Sequence, residues 1–147
     1  MRGIVLRDEA TLHHVGIVCP DATLLEPLLV VARAKQPPSA PPDVAFRHVP
    51  EFQCDCYLLG QIELVVPTNG AEGAPLAPLE RWLKGRGTSL HHVAFEVDDV
   101  DAQAAALREA GVPVVLEQAV EGVADLRVNF VHPSYCGFLV EFVEAAP

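Results

Sequence analysis

The sequence predicts an α+β fold built from two tandem βαβββ modules. Three observations carry that prediction: a phrase that recurs at a fixed offset, short apolar runs with period-two alternation, and a helix-forming stretch that sits between such runs. "TLHHVGIVCPDA" at 11–22 returns as "TSLHHVAFEVDDV" at 88–100, and "IELVV" at 62–66 returns as "VEFVE" at 140–144. His14 thereby maps onto His92 and Glu63 onto Glu141, each 78 positions on, and histidine precedes glutamate by 49 residues in both halves. A chain of 147 residues is long enough for one domain, so 1–147 is expected to be a single domain with a first module at 9–67, a linker at 68–87 and a second module at 88–145.

Each module opens with a strand that runs into an Asp-bearing turn, "CPDA" or "DDVDA", where aspartate can cap a helix. In the first module Pro27 lies inside "LLEPLLVVARAKQPPSAPP". Because proline in a helix interior costs about 3 kcal/mol, a short or kinked helix is expected over 22–35, then a stiff proline-rich loop to about residue 43. Strands follow near 44–49, 53–59 and 61–67, the last two joined tightly at Gly60 and Gln61. The linker holds one short helix, about 76–84, anchored by Leu79, Trp82 and Leu83. In the second module "DVDAQAAALREAG" is a run of helix formers that Gly111 can end. Strands are expected near 112–117, 125–132 and 137–143.

Twenty acidic against ten basic side chains give a net charge of -10, which repels phosphate backbones and excludes nucleic acid as a partner. The opening "MRGIVLRDEA" has no secretory apolar core, and the greasiest stretch, "LLEPLLVVARA", is short and carries Glu26, Pro27 and Arg33. The expectation is a cytoplasmic protein with no membrane segment. Cysteines at 19, 54, 56 and 136 form no CxxC pair, and read as buried free thiols of a reducing compartment.

Alternation decides which side chains share a strand face. His14 shares one with Gly16 and Val18, Glu63 lies opposite Ile62 and Leu64, and Glu141 opposite Val140 and Phe142. An ionised carboxylate in so apolar a strand is costly to desolvate, and neither glutamate has a repeated Lys or Arg beside it. A divalent cation removes the cost. Two imidazoles and two carboxylates, one of each from each half, can meet at a pseudo-twofold axis, and a mixed N/O set suits Mn, Co, Fe, Ni or Zn. A lone buried histidine is more often a packed core residue than a ligand. Four residues locked to one repeat offset favour a site. His13 and His91 face the other way and are expected to cap or pack, while His48 and His132, without repeated partners, are expected to be structural.

The paired modules carrying His14, Glu63, His92 and Glu141 resemble the vicinal oxygen chelate superfamily. The stretch 77–144 resembles, more specifically, the methylmalonyl-CoA epimerases of that superfamily, through "APLERWLKGRGTSLHHVAFEVDDVDAQAAALREAGV", "RVNFVHP" and "GFLVEF". The resemblance implies that each half curls its sheet into half a barrel around the metal, forming a cleft in which a substrate chelates the cation through two oxygens. It also implies a metal-dependent isomerase that removes a proton next to a carbonyl, acting on an acyl-CoA thioester or another dicarbonyl compound, and a chain that pairs as a homodimer.

Under that resemblance Glu141 is the candidate for one catalytic base. On "FQCDCYLL" alternation separates Gln53, Asp55 and Tyr57 from Cys54 and Cys56; with the cysteines assigned to the buried side, Asp55 is the candidate second base and Tyr57 a substrate contact, a solvated surface aspartate being the alternative. Arg127 and Asn129 share a face and can bind a substrate carboxylate or cross-strand partners. Arg47, Lys84 and Arg86 are the cations available to an anionic CoA. The chain departs from the family over 24–52, where "KQPPSAPPDVAF" replaces an aromatic, glycine-bearing helix end that borders the pocket, so substrate identity does not carry over with the metal chemistry. Competing activities are glyoxalase-type isomerisation, an enzyme of specialised metabolism, and metal-free sequestration of an antibiotic; extradiol ring cleavage fits less well, since it uses two histidines and one carboxylate.

Overall fold

A computed structural model describes residues 11–32, 43–68 and 78–145. The tail of the first expected helix, nearly all of the proline-rich loop and residues 69–77 of the linker lie outside the described residues. In the first half, β1 (Thr11–Val18) leads through a 3-10 turn at Ala22–Leu24 into α1 (Leu25–Ala32), and β2 (Val44–Val49), β3 (Cys54–Leu59) and β4 (Ile62–Pro67) follow. The 3-10 turn begins where Asp21 accepts the Thr23 N–H at 2.9 Å. Because α1 starts at Leu25, Pro27 falls in its first turn, where the missing N–H has no intrahelical partner to lose. Over Leu25–Ala32 the proline therefore interrupts no helical hydrogen bond.

The linker helix α2 (Pro78–Arg86) precedes the second half: β5 (Ser89–Glu96), α3 (Val100–Glu109), β6 (Val120–Glu121), β7 (Arg127–Val131), α4 (Pro133–Cys136) and β8 (Leu139–Glu144). In α3 the Asp99 carboxylate caps the Ala102 N–H at 2.9 Å. Val100, Ala104 and Leu107 form its buried stripe. Gly111, at φ +77°, takes the left-handed conformation that ends the helix.

One curved eight-stranded sheet runs in the order β2-β3-β4-β1-β5-β8-β7-β6. The centre is the antiparallel pair β1–β5, flanked by the parallel pairs β1–β4 and β5–β8. Strand order is thus mirrored about the β1–β5 junction, as a duplicated sequence requires. Curvature brings the two edges together: the Arg47 guanidinium on β2 reaches Glu121 on β6 at 2.7 Å and Asp125 at 3.5 Å. The sheet is nearly closed. On its inner side Leu79, Trp82 and Leu83 of α2 pack with Val18, Val49, Cys54, Cys56 and Val65, while α3 covers Val131 and Phe142 on the outer face of the second half. Among the described residues no helix is long and apolar enough to cross a membrane.

Two expectations fail in the second half. Residues 112–117 form no strand; Val114 makes a single bridge to Val131. Pro113 has no N–H to give a ladder, and the Asn129 side chain replaces the next rung, accepting the Leu116 N–H and donating to the Leu116 carbonyl, both at 3.1 Å. The paired edge strand is instead β6, two residues long and further along the chain. Of the four cysteines, Cys19, Cys54 and Cys56 are buried as expected, but Cys136 is exposed.

Candidate metal centre

Strand register builds the centre. Gly16 on β1 lies beside Glu63 on β4 and opposite His92 on β5; Ala94 on β5 lies opposite His14 and beside Glu141 on β8. Two rows result, Glu63–Gly16–His92 and His14–Ala94–Glu141, each with a small residue between a histidine and a glutamate of different halves. The small residues let the flanking side chains lean inward. His14 Nε2 lies 3.1 Å from His92 Nε2, 3.3 Å from Glu63 Oε2 and 3.1 Å from Glu141 Oε2; His92 Nε2 lies 3.0 and 2.9 Å from the same two oxygens. All four residues are buried, and their four ligand atoms fall within 4.8 Å of one another.

The set fits a divalent cation. Glu141 Oε2 is buried without a hydrogen-bond partner although two imidazole nitrogens stand close by, so its lone pairs aim at the space between the side chains and not along N–H bonds. Two nitrogen and two oxygen donors of borderline and hard character match Mn, Co, Fe, Ni or Zn.

Each of the two histidines is held from behind by its chain neighbour. His13 Nδ1 lies 2.8 Å from His14 Nδ1, and His91 Nδ1 lies 2.9 Å from His92 Nδ1. For Nε2 to present a lone pair inward, Nδ1 must carry the proton, so His13 and His91 accept. Burial, then the charge of His92, pushes His91 down to about 4, and burial, then His14, lowers His13, which keeps both neutral and able to accept. Trp82 packs edge-on against His91 at 4.9 Å, with the Arg86 guanidinium 3.7 Å above the indole.

Without a cation the four groups share protons. Burial opposes the charged form of His14, but the adjoining Glu141 and Glu63 carboxylates outweigh it and raise His14 to about 9. Burial opposes the charged form of His92 as well, and Glu141 and Glu63 raise it to about 10. Burial alone raises Glu63 and Glu141, yet the two histidines hold both below the usual carboxylate range.

A cavity of about 530 Å³ opens over the centre, lined by the four side chains together with Glu51, Gln53, Cys54, Cys56, Phe130 and a largely aliphatic wall. The expected facing of β3 is reversed. Residues directly opposite in an antiparallel pair share a face, and β3 pairs Leu58 with Glu63 and Cys56 with Val65. The cysteines therefore face the cavity, and Asp55 and Tyr57 point outward. Asp55 pairs with His48 at 2.8 Å, and Tyr57 packs against Phe46 with ring centroids 5.0 Å apart. Neither lines the cavity.

In β7 the same rule places Phe130 beside Glu141, so Arg127 and Asn129 lie on the outer face. Arg127 holds Asp101 at 2.7 Å and Glu144 at 3.4 Å; buried Asn129 clamps Leu116. Both keep cross-strand or loop partners and neither touches the cavity. Arg47 is engaged by Glu121 and Asp125, and His132 Nδ1 caps α4 by accepting the Ser134 N–H at 3.1 Å. Sequence reasoning missed Gly16 and Ala94 as spacers, and it expected His13 and His91 to cap or pack without giving them the inward histidines as partners. Their signal was present: each His-His pair is followed, two positions after the inward histidine, by Gly or Ala. A Cβ added at Gly16 would overlap the His92 ring.

The sheet, the two-half centre and the cavity above it define a fold class, and comparison with known proteins gives the family. Residues 13–130 match the Glyoxalase/Bleomycin resistance protein/Dioxygenase superfamily. The chain belongs to that superfamily. It is similar to the methylmalonyl-CoA epimerase of Mycobacterium tuberculosis, with 29% identity, TM-score 0.70, and coverage of 92% of this chain and 88% of that one. A methylmalonyl-CoA epimerase in complex with methylmalonyl-CoA and NH4+ is 28% identical at TM-score 0.72, covering 93% and 95% of the two chains. The mitochondrial methylmalonyl-CoA epimerase of Bos taurus is 35% identical over 71 residues, 47% of this chain and 41% of that protein. The match therefore spans about two fifths of the bovine relative.

Proposed function

We propose that the chain is a metal-dependent isomerase that moves a proton on the carbon next to a carbonyl, with a methylmalonyl-type thioester as substrate. The observation that carries this reading is the convergence of His14, Glu63, His92 and Glu141 under a cavity, in a chain similar to epimerases over nine tenths of its length. A divalent cation held by those four side chains would supply a Lewis acid for the charge that develops on a carbonyl oxygen. Glu141 is a metal ligand and one base: its Oε2 is buried, unpartnered and part of the cavity floor. His13 and His91 fix the two imidazoles, and the aliphatic wall excludes water from the carbanionic face.

Epimerisation needs a second base on the opposite face, and Asp55 points away from the cavity. Glu51, on the 3-10 turn Pro50–Phe52 at the rim, is a cavity-lining carboxylate outside the ligand set and takes that role in this proposal. Homodimer formation belongs to the same proposal, and light scattering measures it.

Solvent deuterium uptake at the α-carbon, screened over acyl-CoA thioesters and free β-dicarbonyl compounds, tests the reading. Uptake is expected with a methylmalonyl-type thioester and is lost on chelation. Glu141→Gln should slow uptake by about 10²–10⁴-fold. Glu51→Gln should stop interconversion of the epimers while one epimer still exchanges. Undiminished uptake in chelator-treated protein sinks the metal-dependent mechanism, and normal interconversion in Glu51→Gln removes Glu51.

A further inference from the structure

Cys54 and Cys56 lie outside the ligand set yet line the same cavity. They sit two apart on β3, so both thiols leave the strand on one face, and the Leu58–Glu63 register turns that face inward. The side chains are 1% and 6% exposed, with Sγ atoms 3.7 Å apart. Val49, Phe52, Val65 and Val123 surround them.

A cysteine in a core is usually a small hydrophobe. The equivalent wall of the second half shows what that role requires. The Phe130–Glu141 register matches Leu58–Glu63, which makes Leu126 and Val128 the counterparts of Cys54 and Cys56. Ordinary aliphatics fill that wall. The first half instead places two soft donors in contact with each other and open to about 530 Å³ of apolar-walled space.

Two sulfurs in contact select their ligand. A tetrahedral zinc ion needs two further ligands closing around it, and a linear mercuric ion needs its sulfurs on opposite sides. A trivalent arsenic centre bearing one organic group is pyramidal, holds two adjacent exchangeable hydroxyls, and takes two neighbouring thiolates. We propose that Cys54 and Cys56 form a dithiol site for trivalent mono-organoarsenicals, with the organic group projecting into the cavity. In the condensation two As–O bonds break and two As–S bonds form. Each thiol proton leaves with a hydroxyl as water, and arsenic stays trivalent, so no oxidant or reductant takes part. The site does not depend on the metal reading, because neither cysteine is a ligand of that centre.

The test uses the full chain and phenylarsine oxide, read by intact mass after removal of excess reagent. One phenylarsenic adduct per chain is expected, released by 2,3-dimercaptopropanol and not by 2-mercaptoethanol. Retention should be roughly a hundredfold weaker in Cys54→Ala and in Cys56→Ala, since a single thiol loses the chelate advantage, and unchanged in Cys19→Ala and Cys136→Ala. Alkylation mapping of treated wild-type protein needs no variant: Cys54 and Cys56 should be protected while Cys19 and Cys136 are labelled in denaturant. No adduct on the wild type, retention in the Cys54 and Cys56 variants as strong as in the wild type, or labelling of Cys54 and Cys56 in treated protein overturns the proposal.

Discussion

The ring nitrogens of four histidines divide the work at the centre, two aimed inward and two bonded behind them. His91→Ala should therefore weaken metal binding by about 10–100-fold without touching a ligand, as loss of a group that orients a ligand does. Competition against a chromophoric chelator measures it, and unchanged affinity would reduce His91 to packing. Gly16 makes a sharper case, because the His92 ring fills the space where its Cβ would stand. Gly16→Ala should lower the thermal midpoint and the metal affinity when His92 is present, and change the midpoint little in a His92→Ala background. Additive effects in that cycle would show that the ring is not what the methyl meets. The four clustered side chains were legible because duplication tied them to one offset. The histidines behind them were not, since period-two alternation turns His13 and His91 outward and says nothing about a ring nitrogen reaching sideways to its neighbour.

At the level of strands, facing followed register more than residue type. The Gly60–Gln61 turn pairs Leu59 with Ile62, hence Leu58 with Glu63 and Cys56 with Val65. That arithmetic was available in the sequence once the tight turn was recognised. Treating cysteine burial as burial away from the cavity overrode it and placed Asp55 and Tyr57 inside. The segment 112–117 was illegible for a different reason, because its rung is supplied by the side chain of Asn129, which no backbone pattern announces. Asn129→Ala should cost about 1–3 kcal/mol, since the Leu116 N–H and C=O lose their partner at a half-buried position. Urea unfolding measures the loss. Metal affinity should stay near wild type, and a drop in affinity matching that of His91→Ala would place Asn129 in the centre after all. Helix α3 was legible because an aspartate cap, a buried stripe and a terminating glycine are local signals and it carries all of them, whereas the four-residue α4 was not expected.

Across the whole molecule the centre ties folding to protons. His14 and His92 are raised from 6.5 to about 9 and about 10 in the folded metal-free chain. The stability they contribute is complete below about pH 6.5 and is lost as pH rises through 9 to 10. Glu63 and Glu141 are depressed, so their contribution is present above the ordinary carboxylate value of 4.5 and lost as pH falls. Thermal midpoints of chelator-treated protein should decline from pH 6.5 towards 10; a rise over that window would contradict the arrangement. A bound cation would reverse the trend by displacing the shared protons. Calorimetry in buffers of different ionisation enthalpy should record proton release near neutral pH. The mirrored strand order leaves each half with one inward imidazole and one inward carboxylate, so a chain cut between the halves would hold only two of the four donor groups in either piece, and pairing along β1 and β5 is what reunites them.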